Sequence, residues 1–213
     1  MSLTKPTKLR ISPAAFLLPA VFIALSPVEM LLAVLLAALC HELGHYLLVR
    51  ALGGRLDAIT MTALGAEMHI APDSRLSYGR ELLATAAGPA VNLLLGCILA
   101  TGGRHIPILY LLSGVQLVLG LFNLLPIMPL DGGSILWLAV AWLTEPYTAD
   151  RVTVDVGLAV SVLLLAAAIM VGMRTGGGGF LLVMALCLSA RQWSGVIRKK
   201  DLSKEGAEGK ISC

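Results

Sequence analysis

The sequence predicts an all-α polytopic membrane protein: six transmembrane helices with a small re-entrant β-hairpin between spans 2 and 3. Three observations carry this reading. The chain has a mean hydropathy of +0.86, with 57% hydrophobic and only 14% charged residues. It holds apolar stretches long enough to cross a hydrocarbon core of about 30 Å. Its Lys and Arg residues gather outside those stretches. Such a composition excludes an ordinary soluble domain. The net charge of +3 follows from the distribution of basic residues around the spans and gives no reason to invoke nucleic acid.

The apolar stretches run approximately over 11–27, 29–51, 80–102, 106–125, 152–173 and 179–196. The first follows Lys5, Lys8 and Arg10, an arrangement that also suits a signal peptide. No A-x-A-like site follows it, and Ser26-Pro27 leads straight into the next stretch, so it reads as a span. With a cytoplasmic N-terminus, six crossings place both ends inside. Of the 16 basic residues only Arg104 and Arg174 then face out, as the positive-inside rule requires. The expected location is a bacterial cytoplasmic membrane. Residues 1–197 form one membrane domain in this reading, and the polar, mixed-charge residues 198–213 a disordered cytoplasmic tail. The cysteines Cys40, Cys97, Cys187 and Cys213 show no C-x-x-C spacing and read as buried thiols.

The second span contains His41-Glu42-Leu43-Gly44-His45. Residues four apart lie one above the other on a helix, so the two imidazoles can face one metal while Glu42 flanks it. That is the arrangement of a zinc hydrolase. It needs a third protein ligand, an open position for water and a general base, for which Glu42 is the candidate. The bland alternative is a pair of core histidines. Three ionisable groups within about one turn of a span are costly, however, and mark function. Cys40 points about 100° away around the helix and is a poor candidate for the same metal. Running inward from Glu29, the span places His41 about twelve residues along, roughly 18 Å, nearer the cytoplasmic side.

Residues 54–72 are too polar to span, but they alternate in places, with Ala66, Met68 and Ile70 against Glu67 and His69. They read as a hairpin around Gly65 whose strand edge can receive an extended segment; the alternative is a plain amphipathic loop. In the third span Ala84, Gly88, Asn92, Gly96 and Ala100 recur every four residues, a small-residue stripe broken by one amide. The stripe alone serves close helix packing. Asn92 can in addition hydrogen-bond a neighbouring helix or hold a substrate carbonyl.

After the fourth span comes Asn123-Leu124-Leu125-Pro126-Ile127-Met128-Pro129-Leu130-Asp131-Gly132-Gly133. Its prolines remove backbone donors and its glycines permit tight turns, so the helix unwinds here. Such backbone is tolerated at membrane depth only where protein buries it or it lines a wet cavity. Asp131 is therefore open to two readings, a third metal ligand or the cap of a helix starting near Ser134. His69 is a weaker rival ligand, and His105 beside Arg104 an interfacial residue. Gln116 and Asp155 need partners that the sequence does not name. Gly176 to Gly179 reads as a flexible outer turn, since no Lys-Ser or Lys-Thr pair completes a phosphate loop.

The ordered combination of His41-Glu42-x-x-His45, Gly88-Pro89-Ala90-Val91-Asn92 and Asn123 to Gly133 resembles the site-2 protease family of intramembrane zinc metalloproteases. Within that family it is most similar to the six-span group of the sporulation-stage IV, pro-sigma-factor-processing type. The resemblance covers almost all of residues 11–196. It implies zinc, Zn(2+), bound by His41, His45 and Asp131, with Glu42 activating water. It also implies a substrate-handling role for Asn123. The substrate class it implies is a transmembrane or membrane-associated protein, such as a transcription factor precursor, with membrane regulatory proteins as candidate partners. The expectation is that no PDZ domain lies between the spans and no CBS domain follows the last, which puts nucleotide regulation through such a domain in doubt.

Two rivals belong to other classes. A metal transporter or chaperone would carry further ionisable residues along both halves of a path, and none stands out beyond this cluster. An inactive scaffold that binds transmembrane partners would not require Glu42.

Overall fold

The computed structural model describes residues 8–11, 27–62, 65–71, 74–103, 106–175, 179, 182–190 and 192–193; for 8–11, 59, 61–62, 65–70 and 175 it describes the backbone only. Its elements, in order, are β1 (Lys8–Ile11), α1 (Val28–Ala51), β2 (Leu56–Thr62), β3 (Gly65–Ile70), α2 (Tyr78–Gly102), α3 (Pro107–Asn123), α4 (Asp131–Leu143) and α5 (Pro146–Thr175). Residues 182–190 are also helical. The chain divides into two compact units, Met1–Leu125 and Pro126–Cys213.

Helices α1, α2 and the segment Pro146–Arg174 of α5 are 24, 25 and 29 residues long with mean hydropathy of 1.7, 1.9 and 2.5, enough to cross a membrane. α3 and α4 are apolar but shorter. The chain is thus a mostly helical integral membrane protein with three candidate spanning helices among the described residues. Of the expected first span, residues 12–26 lie outside the described residues, as does the tail 198–213.

In the first unit, each of the three helices touches the other two. Small residues let them approach. A Cβ on Gly44 of α1 would stand 2.9 Å from the Ala87 carbonyl oxygen and 3.2 Å from the Gly88 Cα of α2. A Cβ on Gly96 would meet Leu117 Cγ of α3 at 2.6 Å, and one on Gly120 would meet Asn92 Cβ at 3.2 Å. Ala84, Gly88, Asn92 and Gly96 are all buried, so the four-residue stripe of α2 is its packing face. Ser113 Oγ adds a hydrogen bond to the Gly96 carbonyl at 2.7 Å. Ala33 and Ala37 of α1 pack on Val115 of α3, with Val34, Leu111 and Leu119 around them.

The sheet has the order β1-β2-β3. β2 and β3 pair antiparallel, from Leu56 opposite Ile70 to Thr62 opposite Gly65, with an irregularity between Leu56 and Ala58. β1 pairs parallel to β2, Lys8 opposite Ala58 and Ile11 opposite Met61. This third strand was not legible in the sequence, where Ile11 opens an apolar run.

In the second unit α4 and α5 pack on one another and are joined by Thr144 and Glu145. Trp137 Nε1 donates to Asp150 Oδ1 at 2.7 Å, and the Arg151 guanidinium lies 5.5 Å from the centre of the Tyr147 ring. α4 begins at Asp131 itself, with Leu130 in the N-cap position. The alternative of Asp131 as cap of a helix starting near Ser134 is therefore not what forms: the helix starts three residues earlier and Asp131 lies in its first turn, where an acidic side chain faces the positive end of the helix dipole.

Candidate metal centre

His41 is buried on the inner face of α1 with Ala33, Ala37 and Gly44, and His45 follows one turn later, half-buried. Their Nε2 atoms stand 3.1 Å apart, and the rings meet edge to face, 4.7 Å between centroids. His45 Nδ1 lies 2.9 Å from the Ala84 carbonyl oxygen. A carbonyl only accepts, so Nδ1 carries the proton and Nε2 is left with a lone pair directed toward His41. A backbone carbonyl on the far ring nitrogen is the usual support of a metal-ligating histidine.

The ring is held from its flank as well. A Cβ on Gly88 would overlap the His45 imidazole, 2.6 Å from Cε1 and 2.8 Å from Cδ2. Gly88 therefore lets His45 lie flat against α2, and Gly44 lets α2 come that close. The donor set fits zinc: two nitrogen ligands in a tetrahedral site with bonds of about 2.0–2.1 Å stand about 3.3 Å apart. The observed separation of 3.1 Å is close to that value.

Glu42 is half-buried and directly follows His41 on α1. Asp131 is half-buried at the start of α4, the first residue after Pro126 to Leu130. That loop folds on itself. Leu130 N–H donates to the Ile127 carbonyl at 2.8 Å, Ile127 is fully buried, and a Cβ on Gly133 would meet Ile127 C and Met128 N at 2.7 Å.

The remaining candidates separate. Asn92 is fully buried in α2, one turn beyond Gly88, and neither Nδ2 nor Oδ1 finds a partner among the described residues. Asn123 closes α3, its Nδ2 donating to the Leu119 carbonyl at 3.1 Å. Gln116 is buried in α3 with Oε1 unpaired among the described residues, and Asp155 is exposed on α5. His69 lies on β3, where the side chain is outside the description, and His105 is outside it altogether.

Sequence reasoning missed the contributions of Gly44 and Ala84. A glycine inside a helix is the signal that marks Gly44, since it costs helix stability and implies a close approach. The Ala84 carbonyl has no side-chain signal.

Comparison with known proteins follows the same lines. The model of peptidase family M50 matches residues 100–167. A protein of Synechocystis sp. provisionally named a zinc metalloprotease is 36% identical over 107 residues, 47% of this chain and 28% of its own length. Stage IV sporulation protein FB of Bacillus subtilis is 26% identical over 161 residues, 74% of this chain and 56% of its own length. The chain thus spans only part of each of these relatives. The solved site-2 protease of Methanocaldococcus jannaschii superposes with a TM-score of 0.67 at 22% identity, covering 92% of this chain and 94% of that one, and so shares its fold. The chain is thus similar to peptidase family M50 over residues 100–167, is related in sequence to zinc metalloproteases over part of their length, and has the fold of a site-2 protease.

Proposed function

We propose that the chain is a zinc-dependent intramembrane endopeptidase that hydrolyses a peptide bond within or next to a transmembrane segment of a membrane-tethered protein. The observation that carries this reading is the His41–His45 pair, its Nε2 atoms 3.1 Å apart and one ring anchored to the Ala84 carbonyl, set in a helix long and apolar enough to span. His41, His45 and Asp131 each offer one ligand atom of a type zinc accepts. Zinc held by them would supply a Lewis acid that makes water acidic and polarises a carbonyl. Glu42 takes the proton from the attacking water and returns it to the leaving amine nitrogen. Asn92 and Asn123 contact the substrate backbone or its developing oxyanion. Asn123 keeps its Oδ1 available while Nδ2 holds the end of α3.

In this reading residues 1–197 are one protease domain of six spans with cytoplasmic termini. A helical peptide bond is a poor substrate, because its carbonyl is engaged and its backbone covered. The β2–β3 pair dips into the cytoplasmic side of the membrane as a re-entrant hairpin, and β3, at one edge of the sheet, holds the unwound segment extended by strand addition. Substrates are single-span or membrane-associated proteins, among them transcription factor precursors, released toward the cytoplasm.

The test is cleavage of a tethered model substrate by purified protein in detergent, comparing wild type, Glu42→Gln and Asp131→Ala with metal content measured alongside. Cleavage by the wild type alone, with zinc kept by the Gln variant and weakened in the Ala variant, is the expected result. Unchanged cleavage by Glu42→Gln would remove Glu42 from its role. Zinc bound without cleavage of any tethered substrate would favour a scaffold or a transporter.

A further inference from the structure

The loop that delivers Asp131 is held by a side chain from the last helical residues described. Gln192 is 5% exposed, and its Nε2 donates to the Met128 carbonyl at 3.2 Å across 64 positions of sequence. It passes α5 at Gly157, where an added Cβ would stand 2.8 Å from Nε2 and 3.2 Å from Cδ. The absence of a side chain at Gly157 is thus what opens the way for the amide.

Three physical points give this bond weight. An amide in an apolar span is costly unless it is used. The Met128 carbonyl belongs to irregular backbone, whose polar groups need partners where the surroundings are apolar. Met128 precedes Asp131 by three residues, and the backbone between them has little freedom. Leu130 is bonded back to Ile127, Gly133 and Ser134 N–H groups both point to the Leu130 carbonyl, and Gly133 is pressed on the Ile127–Met128 peptide. Fixing the Met128 carbonyl therefore fixes the direction in which the chain enters α4 and the place of the Asp131 Cα.

We propose that Gln192 is a positioning residue for the metal ligand Asp131, acting through the Met128 carbonyl, with Gly157 as the passage that admits it. This rests on the reading of Asp131 as a ligand. The consequence is that metal affinity depends on a residue that touches neither the metal nor any ligand.

The experiment is a Co(II) titration of the full chain, purified in detergent and stripped of metal, following affinity and the visible absorption of the bound ion. Wild type is compared with Gln192→Leu, Gly157→Ala, the double variant and Asp131→Ala. The first two each leave the Met128 carbonyl without its donor, so the metal-free melting temperature falls modestly, the loss being offset in part because leucine suits an apolar span and alanine favours a helix, and binding is read well below the melt. Each weakens Co(II) binding about fivefold to tenfold and shifts its absorption bands. The double variant binds no more weakly than the weaker single one, because both changes break the same bond. Wild-type affinity in Gln192→Leu, or losses that multiply in the double variant, would overturn the proposal while Asp131→Ala still binds poorly. Wild-type affinity in Asp131→Ala would overturn instead the ligand assignment on which it rests.

Discussion

Replacing Gly88 by alanine puts a methyl group inside the space of the His45 ring. The new Cβ would overlap Nε2 itself and lie 2.6 Å from Cε1 and 2.8 Å from Cδ2, so the ring must recede by roughly 1 Å to reach the 3.4 Å at which ordinary contact begins. A movement of that size is enough to take the 2.9 Å bond from Nδ1 to the Ala84 carbonyl past hydrogen-bonding range and to disturb the 3.1 Å pairing with His41. Loss of such support to a metal ligand costs about 10- to 100-fold in affinity. Overpacking costs about 1–3 kcal/mol and the helix propensity of alanine returns about 1 kcal/mol, so the fold loses about 0–2 kcal/mol. The assay is zinc retention against a competing chelator together with a thermal melt. Gly44→Ala is the informative contrast. Its Cβ meets a backbone oxygen, Ala87 O, at 2.9 Å, and no side chain can turn away there, so the cost falls on helix approach and appears first in the melt. Wild-type zinc affinity and an unchanged melt for Gly88→Ala would refute the view that Gly88 locks His45.

If the proposed activity holds, removing zinc with a chelator should abolish cleavage and restoring Zn(II) should recover it; cleavage that persists in fully stripped protein would contradict the metal's role. His41→Ala and His45→Ala each lower zinc occupancy at least as far as Asp131→Ala, measured by metal analysis after dialysis. Asn92→Leu removes a fully buried amide whose atoms find no partner among the described residues, but its larger side chain must fit beside Gly120, so the two effects offset and a thermal melt shows a change of no more than about 2 kcal/mol while cleavage falls. Ser113→Ala loses the 2.7 Å bond to Gly96 and lowers stability by about 0.6 kcal/mol with zinc binding unchanged, as a melt and metal analysis would show.

What could be read in advance was the local pattern. The apolar run and the four-residue spacing of His41 and His45 defined α1 and its paired imidazoles, because helical periodicity is written in neighbouring residues. The stripe from Ala84 to Gly96 likewise announced the packing face of α2. What the sequence concealed depends on distant partners. Lys8–Ile11 became a strand only because Ala58–Met61 lie beside it, some fifty residues away. The start of α4 at Asp131 followed from the loop packing on Gly133, which propensity does not reveal. The Ala84 carbonyl that orients His45 belongs to backbone that any residue would supply.

The parallel pairing of β1 with β2 also constrains how the chain is threaded. Strands that share a ladder lie on one side of a membrane, so Lys8–Ile11 and Leu56–Thr62 share a compartment. The number of crossings between Ile11 and Leu56 must then be even. α1 is long enough to supply one of them, so the sheet acts as a parity check on topology, independent of any count of charges. Single cysteines introduced at Lys8 and Asp57 should be reached by an impermeant thiol reagent from the same face in a cysteine-free background.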